Sequence, residues 1–145
     1  MSEKTNKIIN SFLIIAIIVT GIAGILTIAK ASNHADTSYS FTYVSEFNTV
    51  YRAKEDNTKV YCYPQTGVNA YYRVHGSDGT SNSSPYGNCS QQVYLNIGTK
   101  YSITNYVNEI GYANARIHCS IGYSVPTTMS GVWSPDSLYY YTIVG

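Results

Sequence analysis

The 145-residue sequence predicts an all-β fold, a compact antiparallel β-sandwich or small barrel of about seven to eight strands, behind an N-terminal hydrophobic leader helix. Three observations predict it. Beyond residue 31 no stretch keeps apolar residues at helical spacing. Short runs rich in β-branched and aromatic residues recur instead, separated by clusters of Gly, Asn, Ser, Asp and Pro. All sixteen tyrosines fall after residue 38, and tyrosine suits a half-buried sheet surface because its ring covers neighbours while its hydroxyl stays wet.

The leader comes first. MSEKTNK carries Lys4 and Lys7 against Glu3, and 22 uncharged residues follow, from Ile8 to Ala29. A basic start before an apolar segment is the layout of an export signal. As a helix the segment would reach roughly 33 Å, enough for a hydrocarbon core of about 30 Å, so a retained membrane anchor is the alternative. Ala29 and Ala31 supply the small side chains of an A-x-A cleavage site, and Gly21 and Gly24 weaken the helix near its outer end. The organisation read from this is a signal peptide over 1–31 or an uncleaved N-terminal anchor, a flexible entry segment over 32–38, and one β-sandwich domain over 39–145. The domain is expected to be extracellular, either secreted or tethered by the leader outside the cytoplasm.

The strands follow in order. YSFTYV (39–44), TVYRA (49–53) and KVYCY (59–63) are aromatic and β-branched, with the EDNT turn at 55–58 between the last two. PQTG (64–67) reads as the next turn, then NAYYRV (69–74) as a strand and GSDGTSNSSPYGN (76–88) as a long polar loop. VYLNIG (93–98) and KYSITNYV (100–107) come next, broken at Ile97-Gly98. ARIHCSIGY (115–123) alternates, with Ile117, Cys119 and Ile121 on one side and Arg116, His118 and Ser120 on the other. Val93, Leu95 and Ile97 form a similar inward set, so the core is expected to be aliphatic. TMSGVW (128–133) follows. In the tail LYYYTIVG both faces carry apolar groups, so it is expected to be a covered final strand folding back on TMSGVW through the SPDS turn, or else an assembly edge.

Tyr61, Tyr63, Tyr71 and Tyr94 take the parity opposite to the apolar residues of their strands. They are the candidate aromatic binding face, since exposed rings stack on sugars and flat ligands. The plainer reading is a tyrosine-covered sheet surface.

From Ser32 onward six Lys and Arg stand against seven Asp and Glu. With no basic stripe, nucleic acid is not an expected partner. Cys62, Cys89 and Cys119 lie in the exported part, where disulfides persist. A Cys62–Cys119 bridge is expected from their inward parity, with Cys62–Cys89 the alternative, and the odd thiol stays free or pairs between molecules. His75, Cys89, His118 and Cys119 lack metal-ligand spacing, and His118 and Cys119 point to opposite faces, so no metal or other cofactor is expected. His34, His75 and His118 are scattered, no G-x-S-x-G occurs, and the serines sit in turn sequences, so no catalytic residue is assigned and no enzyme is expected.

The order F-x-Y (Phe41 to Tyr43), Tyr51-Arg52, a charged turn, Lys59-Val60, a strand ending at Gly76, another closed by Gly98, and SGVW (130–133) resembles the small secreted proteins of Gram-positive bacteria grouped as a domain of unknown function. Members of that group read Y-R, then K-V, and finish on a strand like V-S-G-x-W followed by acidic residues. Here that ending is MSGVWSPDS, with Asp136 the only acid. The resemblance covers about residues 38–137 and implies a compact extracellular β-domain with no activity to carry over. The expected function is a non-enzymatic extracellular binding or antagonistic protein whose partner is an unidentified ligand or protein, a cell-surface glycan among the candidates, with membrane contact only through an uncleaved leader. The alternatives are an extracellular hydrolase with an unrecognised site and a self-assembling surface protein.

Overall fold

Alternation in the sequence demands two faces per strand, and the computed structural model, which describes residues 33–145, supplies them as two sheets. The leader, with Ala29 and Ala31, lies outside the described residues. In chain order the strands are β1 Thr37–Thr42, β2 Glu46–Asn48, β3 Arg52–Ala53, β4 Val60–Thr66, β5 Ala70–Ser77, β6 Gly87–Asn88, β7 Val93–Leu95, β8 Tyr101–Ile103, β9 Asn114–Ser120, β10 Thr128–Ser134 and β11 Thr142–Val144. The first sheet runs β1-β10-β4-β8-β11; the second runs β2-β9-β5-β6, with β3 also on β9 and β7 also on β5. All pairings are antiparallel except β8 with β11. The all-β expectation holds, as a sandwich rather than a closed barrel, with no helix among the described residues.

The core lies between the sheets. Val60 and Cys62 from β4, Met129 and Trp133 from β10, and Tyr101 and Ile103 from β8 meet Tyr72 and Val74 from β5, Ile117 and Cys119 from β9, and Leu95 from β7. Inward parity places each of them, as alternation predicts. The core is not purely aliphatic, however. Tyr39, Phe47, Tyr72, Tyr101 and Trp133 are all buried, and Phe47 stacks on Phe41 at 4.5 Å. Tyr72 directly precedes Arg73 in a strand whose outward tyrosine is Tyr71, so a pair of adjacent rings had to send one inward.

Several boundaries move for local reasons. The run 49–53 is shortened: β2 ends at Asn48, Thr49 still donates its N–H to the Ile117 carbonyl of β9 at 2.9 Å, and the ladder to β9 resumes at Arg52. Pro64, expected in a turn, lies inside β4, opposite Gly131 where the β10 register shifts. A proline cannot donate to a ladder, and a bulge is where a strand tolerates it. Gly98, with φ of 81°, makes the turn before β8 and donates its N–H to the Pro64 carbonyl at 2.8 Å. The tail joins the sheet, but as a parallel partner of β8 rather than a hairpin on β10. The entry segment is fastened rather than loose: the Asn33 N–H donates to Asp136 Oδ2 at 2.9 Å and Arg52 Nη1 to the Ala35 carbonyl at 2.6 Å.

The expected disulfide is not formed. Cys62, Cys89 and Cys119 are all buried free thiols. Cys62 and Cys119 do face the core from opposite sheets, but the Tyr39 and Tyr72 side chains share that layer, their hydroxyls buried without a hydrogen-bond partner. Burial, then Cys119, pushes the Cys62 thiol far up; burial pushes Cys119 up to about 12 and Cys89 up to about 11. Exchange requires a thiolate, so these groups are unreactive while the fold is closed. An aromatic disulfide reagent should therefore find no reactive thiol in the native protein and three after denaturation. Prompt labelling of the native state would contradict this.

Candidate functional site

The outer face of the first sheet mixes hydroxyl and aromatic groups: Ser38 and Ser40 on β1, Ser130 and Val132 on β10, with Tyr61 and Tyr63 on β4. The tail is laid over Tyr61. After β10 the chain turns at Pro135-Asp136-Ser137, and Ser102 on β8 then takes hold of it. The Tyr141 N–H donates to Ser102 Oγ at 2.9 Å, and that hydroxyl donates to the Tyr139 carbonyl at 3.4 Å. The Tyr141 ring comes to rest against Tyr61 with centroids 5.0 Å apart, and Tyr139 meets Tyr141 edge-on at 6.4 Å. Lys100 places its ammonium over Tyr63 at 5.7 Å and over Tyr141 at 5.4 Å.

Between the tail and the entry segment a cleft of about 240 Å³ opens, lined by His34 and Asp36 on one side and Tyr139, Tyr141 and Leu138 on the other. Tyr61, Lys100, Ser134 and Ser137 complete it. The volume lies below the roughly 300–1,000 Å³ of drug-sized pockets, so it suits one ring-sized group. Burial, with Asp36 and Tyr141 adding, pushes the Tyr61 phenol up to about 12, leaving a neutral hydroxyl at physiological pH. Aromatic faces, a carboxylate, an ammonium and hydroxyls converge on one small space. Both serines are already committed: Ser134 donates its hydroxyl to the Asp136 carbonyl at 2.8 Å and Ser137 to the Tyr139 carbonyl at 2.6 Å. A hydroxyl held that way has not given its proton to a base, which nucleophilic attack requires.

Of the four candidate tyrosines, the structure brings Tyr61 and Tyr63 together on the first sheet and Tyr71 and Tyr94 together on the second. Tyr71 and Tyr94 face each other in register, rings 5.0 Å apart, and are about half exposed. The four do not form one face, because β4 belongs to one sheet and β5 and β7 to the other. The sequence reading missed Tyr139, Tyr141, Lys100, Asp36 and His34 as neighbours of Tyr61. The LYYY run was visible, but its partner strand is β8, which no local signal names.

On the outer face of the second sheet, His75 lies between Tyr86, stacked at 4.4 Å, and His118, stacked at 4.8 Å. His118 projects outward while Cys119 projects into the core, as alternation requires. Among the described residues no group of three or more His, Cys, Asp and Glu could hold a metal ion.

An all-β sandwich with a tyrosine-lined cleft on one sheet defines a class of small β-domain without defining an activity. Within that class the chain belongs to the family described as Protein of unknown function (DUF2712), which it matches over residues 27–137. The match ends one residue past Asp136, so the tail wall of the cleft lies beyond it. No curated protein and no solved structure matches the chain.

Proposed function

We propose that the protein is an extracellular, non-enzymatic binding domain that holds one sugar ring of a surface glycan in the cleft between its tail and its entry segment. The observation carrying this reading is the convergence of Tyr61, Tyr139 and Tyr141 with Asp36 and Lys100 around a space of single-ring size. Sugars present apolar ring faces and hydroxyl edges, which aromatic rings and charged or hydroxyl groups match. Export rests on the leader, whose basic start and Ala29-x-Ala31 site suit cutting after Ala31, with an uncleaved anchor as the alternative. Cutting there leaves one residue before Asn33, which is already bonded into the fold. The resemblance to secreted proteins of Gram-positive bacteria points the same way.

Self-assembly has one observation in its favour: β11 is an edge strand, and Leu138, Tyr140 and Ile143 near it are exposed. One experiment separates the readings. The secreted protein is sedimented with purified cell wall and, in parallel, alone in an analytical ultracentrifuge. Tyr139→Ala removes an exposed ring and should weaken wall binding about tenfold, as for an aromatic contact of moderate weight, with thermal stability unchanged. Wall binding indifferent to Tyr139→Ala would overturn the cleft reading. Concentration-dependent association without wall binding would replace it with self-assembly.

A further inference from the structure

The second sheet carries on its outer face an unusual density of nitrogen bases and cations. In register, Arg73 on β5 faces His118 on β9, and His75 on β5 faces Arg116 on β9. The Arg116 guanidinium is held between the rings of Tyr51 at 4.5 Å and Tyr86 at 5.0 Å, and donates to the Asn82 carbonyl at 3.2 Å. Among the described residues the ion pairs are those of Lys54 with Asp56 and Asp136, so neither Arg73 nor Arg116 is paired with a carboxylate.

Three polar atoms on this face are shut off from solvent without a hydrogen-bond partner: Arg73 Nε, Arg116 Nε and His75 Nδ1. His75 and Arg116 are each 3 % exposed. Leaving buried polar atoms unpartnered is unfavourable, and a sheet face needing only solubility would not sink them. Burial, then His118, Arg116 and Arg73, push His75 down to about 3 against the opposing contact of the Asn88 side chain; burial, Arg116 and Arg73 lower His118, while Glu46 raises it. The face thus repels added positive charge.

We propose that this face is an anion-binding site that receives a phosphate group across the Arg73–His118 pair, with Arg116 and His75 behind it. The half-buried Arg73 guanidinium supplies a forked donor of the kind phosphate oxygens match. His118, whose Nδ1 lies 3.1 Å from Asn48 Oδ1, supplies an imidazole fixed in orientation by that contact. A phosphate would offset the repulsion between the Arg73 and Arg116 guanidiniums and would favour a proton on His118. This inference is independent of the glycan cleft, which lies on the other sheet.

The groups facing His118 are Arg73 and His75 from β5, Arg116 from its own strand, Glu46 and Asn48 from β2, and Tyr86 of the β5–β6 loop through His75. Only Glu46 among them is acidic, so a bound anion should raise the His118 pKa, and by linkage affinity should rise as pH falls. The test is an NMR titration of the histidine and arginine side-chain resonances with inorganic phosphate and, separately, with dimethyl phosphate, whose charge does not change with pH. Saturable shifts at His118 and Arg73 are expected, weakened about tenfold or more by Arg73→Gln and only partly restored by Arg73→Lys, which keeps the charge but not the fork, with the His118 pKa moving upward on binding. His118→Gln, read at the Arg73 side-chain resonances, provides a second variant should Arg73→Gln fail to fold; it should weaken binding and remove its rise with falling pH. Response to both probes assigns a phosphodiester-compatible site; response to inorganic phosphate alone assigns a free phosphate or monoester. Shifts that do not saturate, or that Arg73→Gln leaves unchanged in a folded protein, overturn the proposal.

Discussion

Asp136→Ala should destabilise the domain by about 3–5 kcal/mol, the cost of breaking a buried ion pair by removing one partner. Asp136 is fully buried, and so is the Lys54 ammonium 2.7 Å from its Oδ1. Lys54 uses its remaining protons on the Asp56 carbonyl at 2.7 Å and the Thr58 carbonyl at 2.6 Å. Asp136 in turn accepts the N–H groups of Asn33 at 2.9 Å, Glu55 at 3.0 Å and Asp56 at 3.4 Å. One carboxylate therefore ties the entry segment, the β3–β4 turn and the end of β10. Its loss leaves three amide protons unpaired and the buried ammonium with only the Asp56 carboxylate at 3.7 Å to balance its charge.

Two further variants separate charge from connectivity. Asp136→Asn keeps size but turns an amide NH₂ toward protons on one side or the other, so it should cost nearly as much as alanine. Lys54→Met with Asp136→Leu removes both charges, a change that is often neutral for an isolated pair. Here the double variant should recover only part of the loss, because the Asn33, Glu55 and Asp56 N–H groups remain unpaired. Urea unfolding measures all three. A loss below about 1 kcal/mol for Asp136→Ala would show that the network is dispensable, since surface pairs are worth that little.

What the sequence revealed follows from period and parity. Strand faces are local, so the outward placement of Tyr71, Tyr94 and His118 and the inward placement of Ile117, Cys119 and Leu95 could be read from alternation alone. Pairing is not local. Nothing between 138 and 145 announces that β11 lies parallel to β8, and this alone assembles the cleft from Tyr61 and Tyr141. Asp136 stood out only as the single acid after SGVW. Its partner Lys54 sits in a charged turn, where lysine usually means a solvated surface. The cysteines misled for a different reason: inward parity on two sheets is necessary for a bridge but leaves open what else fills the space, and here Tyr39 and Tyr72 share it.

The glycine of SGVW should prove nearly as sensitive as Asp136. Gly131 lies opposite Tyr39 on β1 and beside Pro64 on β4. A Cβ there would overlap the Tyr63 carbonyl oxygen and come within 2.5 Å of the Tyr39 hydroxyl and 2.7 Å of its ring carbon Cζ. The ring occupies the space a side chain would need, so glycine lets Tyr39 lie over the ladder with its hydroxyl in the core. Gly131→Ala must push backbone on one side and a buried ring on the other, and should cost about 3 kcal/mol, the upper range for overpacking. Tyr39→Phe tests the account from the other direction. The Tyr39 hydroxyl is buried beside the Tyr72 hydroxyl and the Cys62 thiol without a well-formed hydrogen bond to either, so its removal alone should change stability by less than about 1 kcal/mol. In the Gly131→Ala background it should restore somewhat more than it gives alone, because it also removes one of the three close contacts, the ring carbon Cζ at 2.7 Å staying in place. Full rescue is not expected, since the Tyr63 carbonyl belongs to the β4 backbone and cannot be trimmed. Strict additivity of the two changes in urea unfolding would mean that the ring does not compete for the glycine's space, and would refute this reason for glycine in the motif.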